Sequence, residues 1–181
     1  MAQDTEHRQC GTYSEIVEAY QRGHAEIFEE ELLYYSSDSI SETIVLATYS
    51  EKLGKRRHSH QYRNSPRALQ EALGILKSMR FSDDGSFDEL HTLIREGVGG
   101  VVGIGPLAIY DISLRIGKCL GLSPDKVYLH QGAKEGARAL GIMGNSVDLN
   151  QLPKEFHNLS PAQAENCLCI FKNELRGITN R

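Results

Sequence analysis

The 181-residue chain is 40% hydrophobic, which is enough apolar material for an ordinary buried core, and its formal net charge is −4. It has no apolar run of membrane-spanning length and no basic-then-apolar leader, so we expect a protein that is neither membrane-bound nor secreted. The four cysteines are scattered as in a cytoplasmic protein with thiols, rather than spaced as in a disulfide framework.

Charge is distributed unevenly along the chain. Residues 1–51 carry 11 acidic and two basic side chains, whereas residues 52–80 carry one acidic and eight basic ones. The rest of the chain, residues 81–181, carries 12 acidic and 10 basic side chains. A local block of +7 can attract a polyanion although the whole chain is acidic, because surface potential depends on nearby charge. Nucleic acid therefore remains an expected partner.

Helix start signals recur along the chain. Serine or threonine stands three residues before glutamate or glutamine in four places, which is the pattern of a capping box. These boxes begin at Thr12, Ser39, Ser86 and Ser160. Ser65 followed by Pro66 marks a further start, because proline suits the first helical position.

Apolar residues at helical spacing follow these starts, whereas strand signals are few. The predicted helices cover residues 13–35, 40–53, 66–79, 87–100, 106–121, 133–142 and 161–176. The fold class is therefore predicted to be mainly α, a helical bundle. We expect residues 1–85 to form an N-terminal helical lobe with a basic loop and residues 86–181 to form a second lobe, the two sharing one core.

Two glycines form a distinctive feature in the second lobe. Gly103 and Gly105 flank Ile104, and Pro106 begins an amphipathic segment. Because glycine tolerates positive φ and proline starts helices, this order predicts a tight hairpin between two helices, with main-chain amides available to an anion. A turn without a ligand is the simpler alternative. A dinucleotide-binding loop is disfavoured, because the third glycine and a preceding strand are missing.

The basic block is densest at residues 55–63. The side chains expected to contact phosphate there are Lys55, Arg56, Arg57, His58, His60, Gln61 and Arg63. Tyr62 is expected to stack on a base. A solvated basic connector is the alternative. No metal is expected at His58 and His60, because no cysteine or carboxylate lies in the loop to complete a zinc site.

The hairpin and the segments after it resemble the helix-hairpin-helix DNA glycosylases, base-excision enzymes related to endonuclease III and the alkyladenine glycosylases. The resemblance covers residues 87–176 and is most specific at Gly103, Ile104 and Gly105. It implies a DNA partner, expected to be duplex, whose backbone phosphate the hairpin grips, with Lys134 as a further contact. It implies no cofactor, although a monovalent cation at the hairpin fits the same pattern. No oligomeric state is predicted.

Two departures from the family pattern concern the chemistry. Leu107 occupies the position of the catalytic lysine of bifunctional members, and His130 occupies that of a catalytic aspartate. The resemblance then implies hydrolysis of the glycosidic bond of a flipped base without lyase activity. In that hypothesis His130 is the general base, Asp111 orients it, and Tyr110 and Tyr128 stack on the base.

Each of these residues has a structural alternative. In the alternative, His130 is a hydrogen-bonded structural histidine and Asp111 is a favourable negative charge near a helix N-terminus. Tyr128 is then a core residue whose hydroxyl has a hydrogen-bond partner. The wider alternative is a non-catalytic nucleic-acid-binding or protein-interaction module with a degenerate glycosylase-like fold.

Overall fold

A computed structural model of the chain describes residues 10–50 and 64–179. The prediction of a mainly α fold is confirmed. The helices are α1 (Tyr13–Tyr20), α2 (Glu26–Tyr35), α3 (Ile40–Tyr49), α4 (Pro66–Ser78), α5 (Phe87–Val98), α6 (Pro106–Leu120), α7 (Gln131–Ala139), α8 (Pro161–Ile170) and α9 (Lys172–Thr179). Within these described residues, no helix has the length and apolarity needed to cross a bilayer.

Shorter elements complete the architecture. Strands β1 (Val127–Tyr128) and β2 (Ser146–Val147) pair antiparallel, with Val127 opposite Val147. A π-helical turn, Gln21–Ala25, joins α1 to α2, so one nearly continuous helix covers the predicted range 13–35. The 3-10 turns Leu149–Gln151 and Lys154–Asn158 lead into α8.

Most of the predicted helix starts are confirmed by their capping bonds. Complete capping boxes form at Thr12, Ser86 and Ser160, and the Ser65 hydroxyl accepts the amide of Ala68 at 3.1 Å. The box predicted at Ser39 is wrong, because its side chain makes no capping bond. The Glu42 carboxylate instead accepts a hydrogen bond of 2.6 Å from the Ser37 hydroxyl. The pattern predicted that Glu42 would bind the backbone of Ser39.

The chain divides into two compact units. The terminal unit consists of the described residues up to Ile27 together with those from Lys126 onward, and the central unit spans Phe28–Asp125. The division expected from the sequence, after residue 85, falls instead inside the central unit, between α4 and α5. The difference arises because α1 packs against α9 and against the turn Lys154–Asn158, contacts between distant parts of the chain that local patterns do not encode.

Each unit has its own hydrophobic core. In the terminal unit Ile16 and Tyr20 of α1 are fully buried with Phe156 and Leu168. In the central unit one face of each of α3, α4 and α5 is buried, whereas α6 is buried on most sides. The side chains with no exposure include Leu69, Leu76, Ile94, Ile112 and Ile116. The buried residues thus form one cluster in each unit, and the core shared by both lobes stays a prediction.

Candidate nucleic-acid interface

The link between α5 and α6 in the central unit is a tight turn over residues 101–104. The amide of Ile104 donates to the carbonyl oxygen of Val101 at 3.0 Å, which closes the turn. Gly103 has φ 99°, a value in the left-handed region that side-chain-bearing residues rarely adopt. This position therefore requires glycine for its backbone conformation.

Gly105 has a different role from Gly103. It is the N-cap residue of α6, with φ −96° and ψ 172°, and its carbonyl oxygen accepts the amide of Ile109 at 3.1 Å. Pro106 occupies the first helical position. This is the handover from turn to helix that the sequence predicts.

Several main-chain donors at this turn have no acceptor among the described residues. In the part of the chain that the structure describes, the amides of Gly103, Gly105 and Leu107 donate no hydrogen bond to another residue. Those of Gly105 and Leu107 precede the first helical bond of α6, as the leading amides of any helix do, and that of Gly103 belongs to the turn. The dipole of α6 adds partial positive charge at the same end, so these amides attract an anion.

The turn is anchored on one side and open on the other. Val101 and Ile104 are 5% and 6% exposed and belong to the core of the central unit. Val102, between them, is 91% exposed, and Gly103 is exposed as well. The turn therefore projects its tip into solvent from a fixed apolar base.

The first turn of α4 packs directly beside Gly103. A Cβ atom built on Gly103 would lie 3.4 Å from the Cβ atom of Ala68, so the backbones approach closely here. Arg67, the preceding residue, is exposed. The N-terminal ends of two helices, α4 and α6, thus flank the turn.

The densest part of the basic block, residues 55–63, lies outside the part of the chain that the structure describes. The predicted phosphate contacts Lys55, Arg56, Arg57, His58, His60, Gln61 and Arg63, and the predicted stacking residue Tyr62, lie outside the described residues. So do both histidines of the disfavoured metal site. Across residues 10–50 and 64–179, no three side chains of histidine, cysteine, aspartate or glutamate are grouped to hold a metal ion.

Tyr110 lies in a buried cluster of rings. It is 1% exposed and meets the rings of Phe87 and His91 edge to face, each at a centroid distance of 6.2 Å. The Nδ1 atom of His91 lies 3.1 Å from the hydroxyl of Ser113. Stacking of Tyr110 on a base would therefore require this cluster to open. Its neighbour Asp111, on the same helix, is half-buried.

The predicted general base His130 belongs to the terminal unit. It is the N-cap residue of α7, and its carbonyl oxygen accepts the amide of Lys134 at 2.7 Å. Its ring stacks on Tyr128 with centroids 6.3 Å apart, and the Lys126 ammonium lies 5.4 Å from the centre of the Tyr128 ring. The structure thus groups His130 with Tyr128, whereas Asp111 belongs to the central unit.

Two further features of this group limit the predicted roles. Tyr128 is 6% exposed, so this ring would also have to be uncovered before it could stack on a base. The Lys134 ammonium donates to the side-chain oxygen of Asn145 at 2.8 Å. A phosphate contact by Lys134 would compete with this hydrogen bond.

Sequence reasoning missed the buried cation Arg115. It is 5% exposed, it donates to the carbonyl oxygen of Ala47 at 3.0 Å and to the hydroxyl of Ser50, and its guanidinium lies 4.3 Å from the centre of the Tyr35 ring. The signal was present, because Arg115 stands between apolar positions of α6. Burial raises the pKa of Tyr35, while the nearby guanidinium acts in the opposite direction.

Comparisons of the chain with models of protein families, with curated proteins and with solved structures find no match. A functional proposal therefore depends on the chemistry of the chain's own residues. The turn, whose amides have no acceptor among the described residues, offers a ligand hydrogen-bond donors at the surface of the central unit.

Proposed function

We propose that this chain binds duplex DNA and that the turn at residues 101–105 contacts a backbone phosphate. The observation that carries the proposal is the open side of the turn, where the amides of Gly103, Gly105 and Leu107 have no acceptor among the described residues. A phosphate oxygen is a strong acceptor for such amides at a helix N-terminus.

The shape of the surface favours a large ligand over a small anion. Small molecules bind in concave pockets that bury most of their surface. The tip of this turn instead projects outward, with Val102 91% exposed. A projecting loop can lie against the backbone of an extended polymer, and the +7 block of residues 52–80 supplies the charge that attracts such a polymer.

The test is a pair of substitutions at Gly105. A Cβ atom at this position would meet no atom within 4 Å, and its φ of −96° suits any residue. Aspartate and asparagine are both good N-cap residues, so both variants should fold. Gly105→Asp places a negative charge where the phosphate is proposed to bind, whereas Gly105→Asn has nearly the same shape without the charge.

The measurement is the affinity for a short DNA duplex at several salt concentrations. For the native protein the logarithm of the affinity should fall with that of salt, with a slope of about 0.9 for each phosphate contacted. Gly105→Asp should weaken binding at least tenfold at low salt, and Gly105→Asn by a few fold at most. Equal affinities for the two variants, or no binding by the native chain at low salt, would refute the proposal.

A second candidate activity is hydrolysis of a glycosidic bond. It is favoured by His130, which caps α7 directly after β1, the position at which the resemblance expects the catalytic group. Leu107 at the lysine position argues against cleavage of the DNA strand. We expect release of a modified base from a duplex by the native chain and none by His130→Gln, with duplex binding unchanged. Base release that survives in His130→Gln would remove His130 from the chemistry.

A further inference from the structure

We propose that Arg67, in the first turn of α4, binds a phosphate adjacent to the one at the turn of residues 101–105. The inference rests on the proposed function, because it assumes that the same DNA duplex lies against that turn. It adds to the interface a residue that stands outside the densest basic segment, residues 55–63, and that the sequence does not single out.

The packing of α4 brings Arg67 close to the turn. Ala68 lies beside Gly103, since a Cβ atom on Gly103 would be 3.4 Å from the Ala68 Cβ atom. Arg67 is the next residue, and consecutive Cα atoms are about 3.8 Å apart, so its Cα atom lies within roughly 10 Å of that of Gly103. Duplex DNA carries one charge for about every 1.7 Å of its axis. On each strand one phosphate follows another about every 3.4 Å of the axis, so the neighbour of the phosphate at the turn would lie within this distance.

The charge of Arg67 has no charged partner among the described residues. Its side chain is exposed, and among residues 10–50 and 64–179 it forms no ion pair or side-chain hydrogen bond, not even with Glu71 one turn further along α4. A cation in the first turn of a helix also opposes the helix dipole. The position of Arg67 is therefore not explained by the stability of α4.

The N-terminal ends of two helices add positive potential beside Arg67. The N-terminal ends of α4 and α6 both lie at Gly103 and carry partial positive charge. The planar guanidinium of Arg67 can form two parallel hydrogen bonds to one phosphate. Together these groups would bind two neighbouring phosphates, one at the turn and one at Arg67.

The experiment compares Arg67→Gln with Lys77→Gln in the full chain. Lys77 is an exposed cation on the same helix, ten residues further along and so about 15 Å away at the rise of an α-helix. Arg67→Gln should weaken duplex binding about fivefold or more and lower the salt slope by about 1, whereas Lys77→Gln should change the affinity less than twofold.

The two proposals can fail separately. If Gly105→Asp abolishes binding but Arg67→Gln behaves like Lys77→Gln, the role of Arg67 is refuted and the turn remains. If Gly105→Asp binds as well as Gly105→Asn, the phosphate site at the turn is refuted, and with it the adjacent site. Arg67 is exposed and forms no ion pair or side-chain hydrogen bond among residues 10–50 and 64–179, so in its variant circular dichroism should be unchanged and the melting temperature should not fall.

Discussion

Arg115 is a cation inside the central unit, and its two hydrogen bonds fix the end of α3. The last residue of that end, Ser50, has φ 51°, which is unusual for a residue with a side chain. The guanidinium of Arg115 binds the Ser50 hydroxyl and the Ala47 carbonyl oxygen, so it holds the backbone in this conformation.

We predict that Arg115→Met lowers the free energy of unfolding by about 1–3 kcal/mol, because two buried acceptors lose a charged donor. Lys118→Met on the same helix is the control. Its partner Glu29 lies 3.3 Å away in a partly exposed ion pair, so its loss should cost less than about 1 kcal/mol. Urea denaturation measures both. Equal losses for the two variants would contradict the structural role of Arg115.

The two glycines of the turn differ in what they tolerate. Gly103 combines a φ of 99° with close packing on Ala68, so any substitution there disturbs the backbone itself. Gly105 has an ordinary φ and open space around it. For this reason a charge can be introduced at Gly105 without backbone strain. A loss of binding after substitution of Gly103 could come either from the new side chain or from the disturbed backbone.

Among the helices, α7 and α8 pack with an unusually close approach. A Cβ atom on Gly136 would collide with the carbonyl oxygen of Leu168, and one on Gly132 with the sulfur of Cys169. Ala133 and Ala137 are fully buried in the same core. Small residues at these positions let the two helix backbones lie against each other, which fixes α7 and with it the N-cap residue His130.

A single methyl group at this contact should therefore be costly. We predict that Gly136→Ala lowers the free energy of unfolding by about 2 kcal/mol or more, because α7 must move away from α8. In Gly74→Ala on α4, where a Cβ atom meets nothing within 4 Å, we expect a gain of about 0.5–1 kcal/mol from the better helix former. Thermal unfolding measures both. Stabilisation by Gly136→Ala would contradict the close packing.

Helix boundaries were predictable where they depend on neighbouring residues. Ser86 with Glu89 and Ser65 with Pro66 are local signals, and both helices begin where these predict. The start of α7 was predicted at residue 133 but lies at Gln131. No capping side chain marks that start, because His130 serves as N-cap without a side-chain capping bond. The capping box predicted at Ser39 is absent for another reason, because the Ser37 hydroxyl binds the Glu42 carboxylate.

At the scale of the whole molecule, the grouping of helices into two units could not be predicted from the sequence. The core of the terminal unit unites Ile16 and Tyr20 with Phe156 and Leu168, residues that are far apart in the chain. Hydrophobic periodicity tells which face of each helix is buried but not which other helix covers it. The helical content and the turn between α5 and α6 were local properties, and for that reason the sequence predicted them.

In the candidate site, too, the sequence predicts only the features that depend on local backbone preferences. Gly103, Ile104 and Gly105 were identified because glycine and proline have specific backbone preferences. Arg115 stands between apolar positions of α6, but its partners Ala47 and Ser50 on α3 depend on packing between helices and have no local signal. The buried rings of Tyr110 and Tyr128 show the same limit, since exposure of an aromatic side chain is decided by the tertiary structure.

The central claim is that the open amides of the turn receive a phosphate. The most direct measurement is a titration of isotope-labelled protein with a short DNA duplex, followed through the backbone amide resonances. We predict that the amide signals of Gly103, Gly105 and Leu107 shift strongly and saturate together with duplex binding, and that those of Gly74 and Gly177 stay in place. Saturable binding that leaves the three signals of the turn unchanged would contradict the claim.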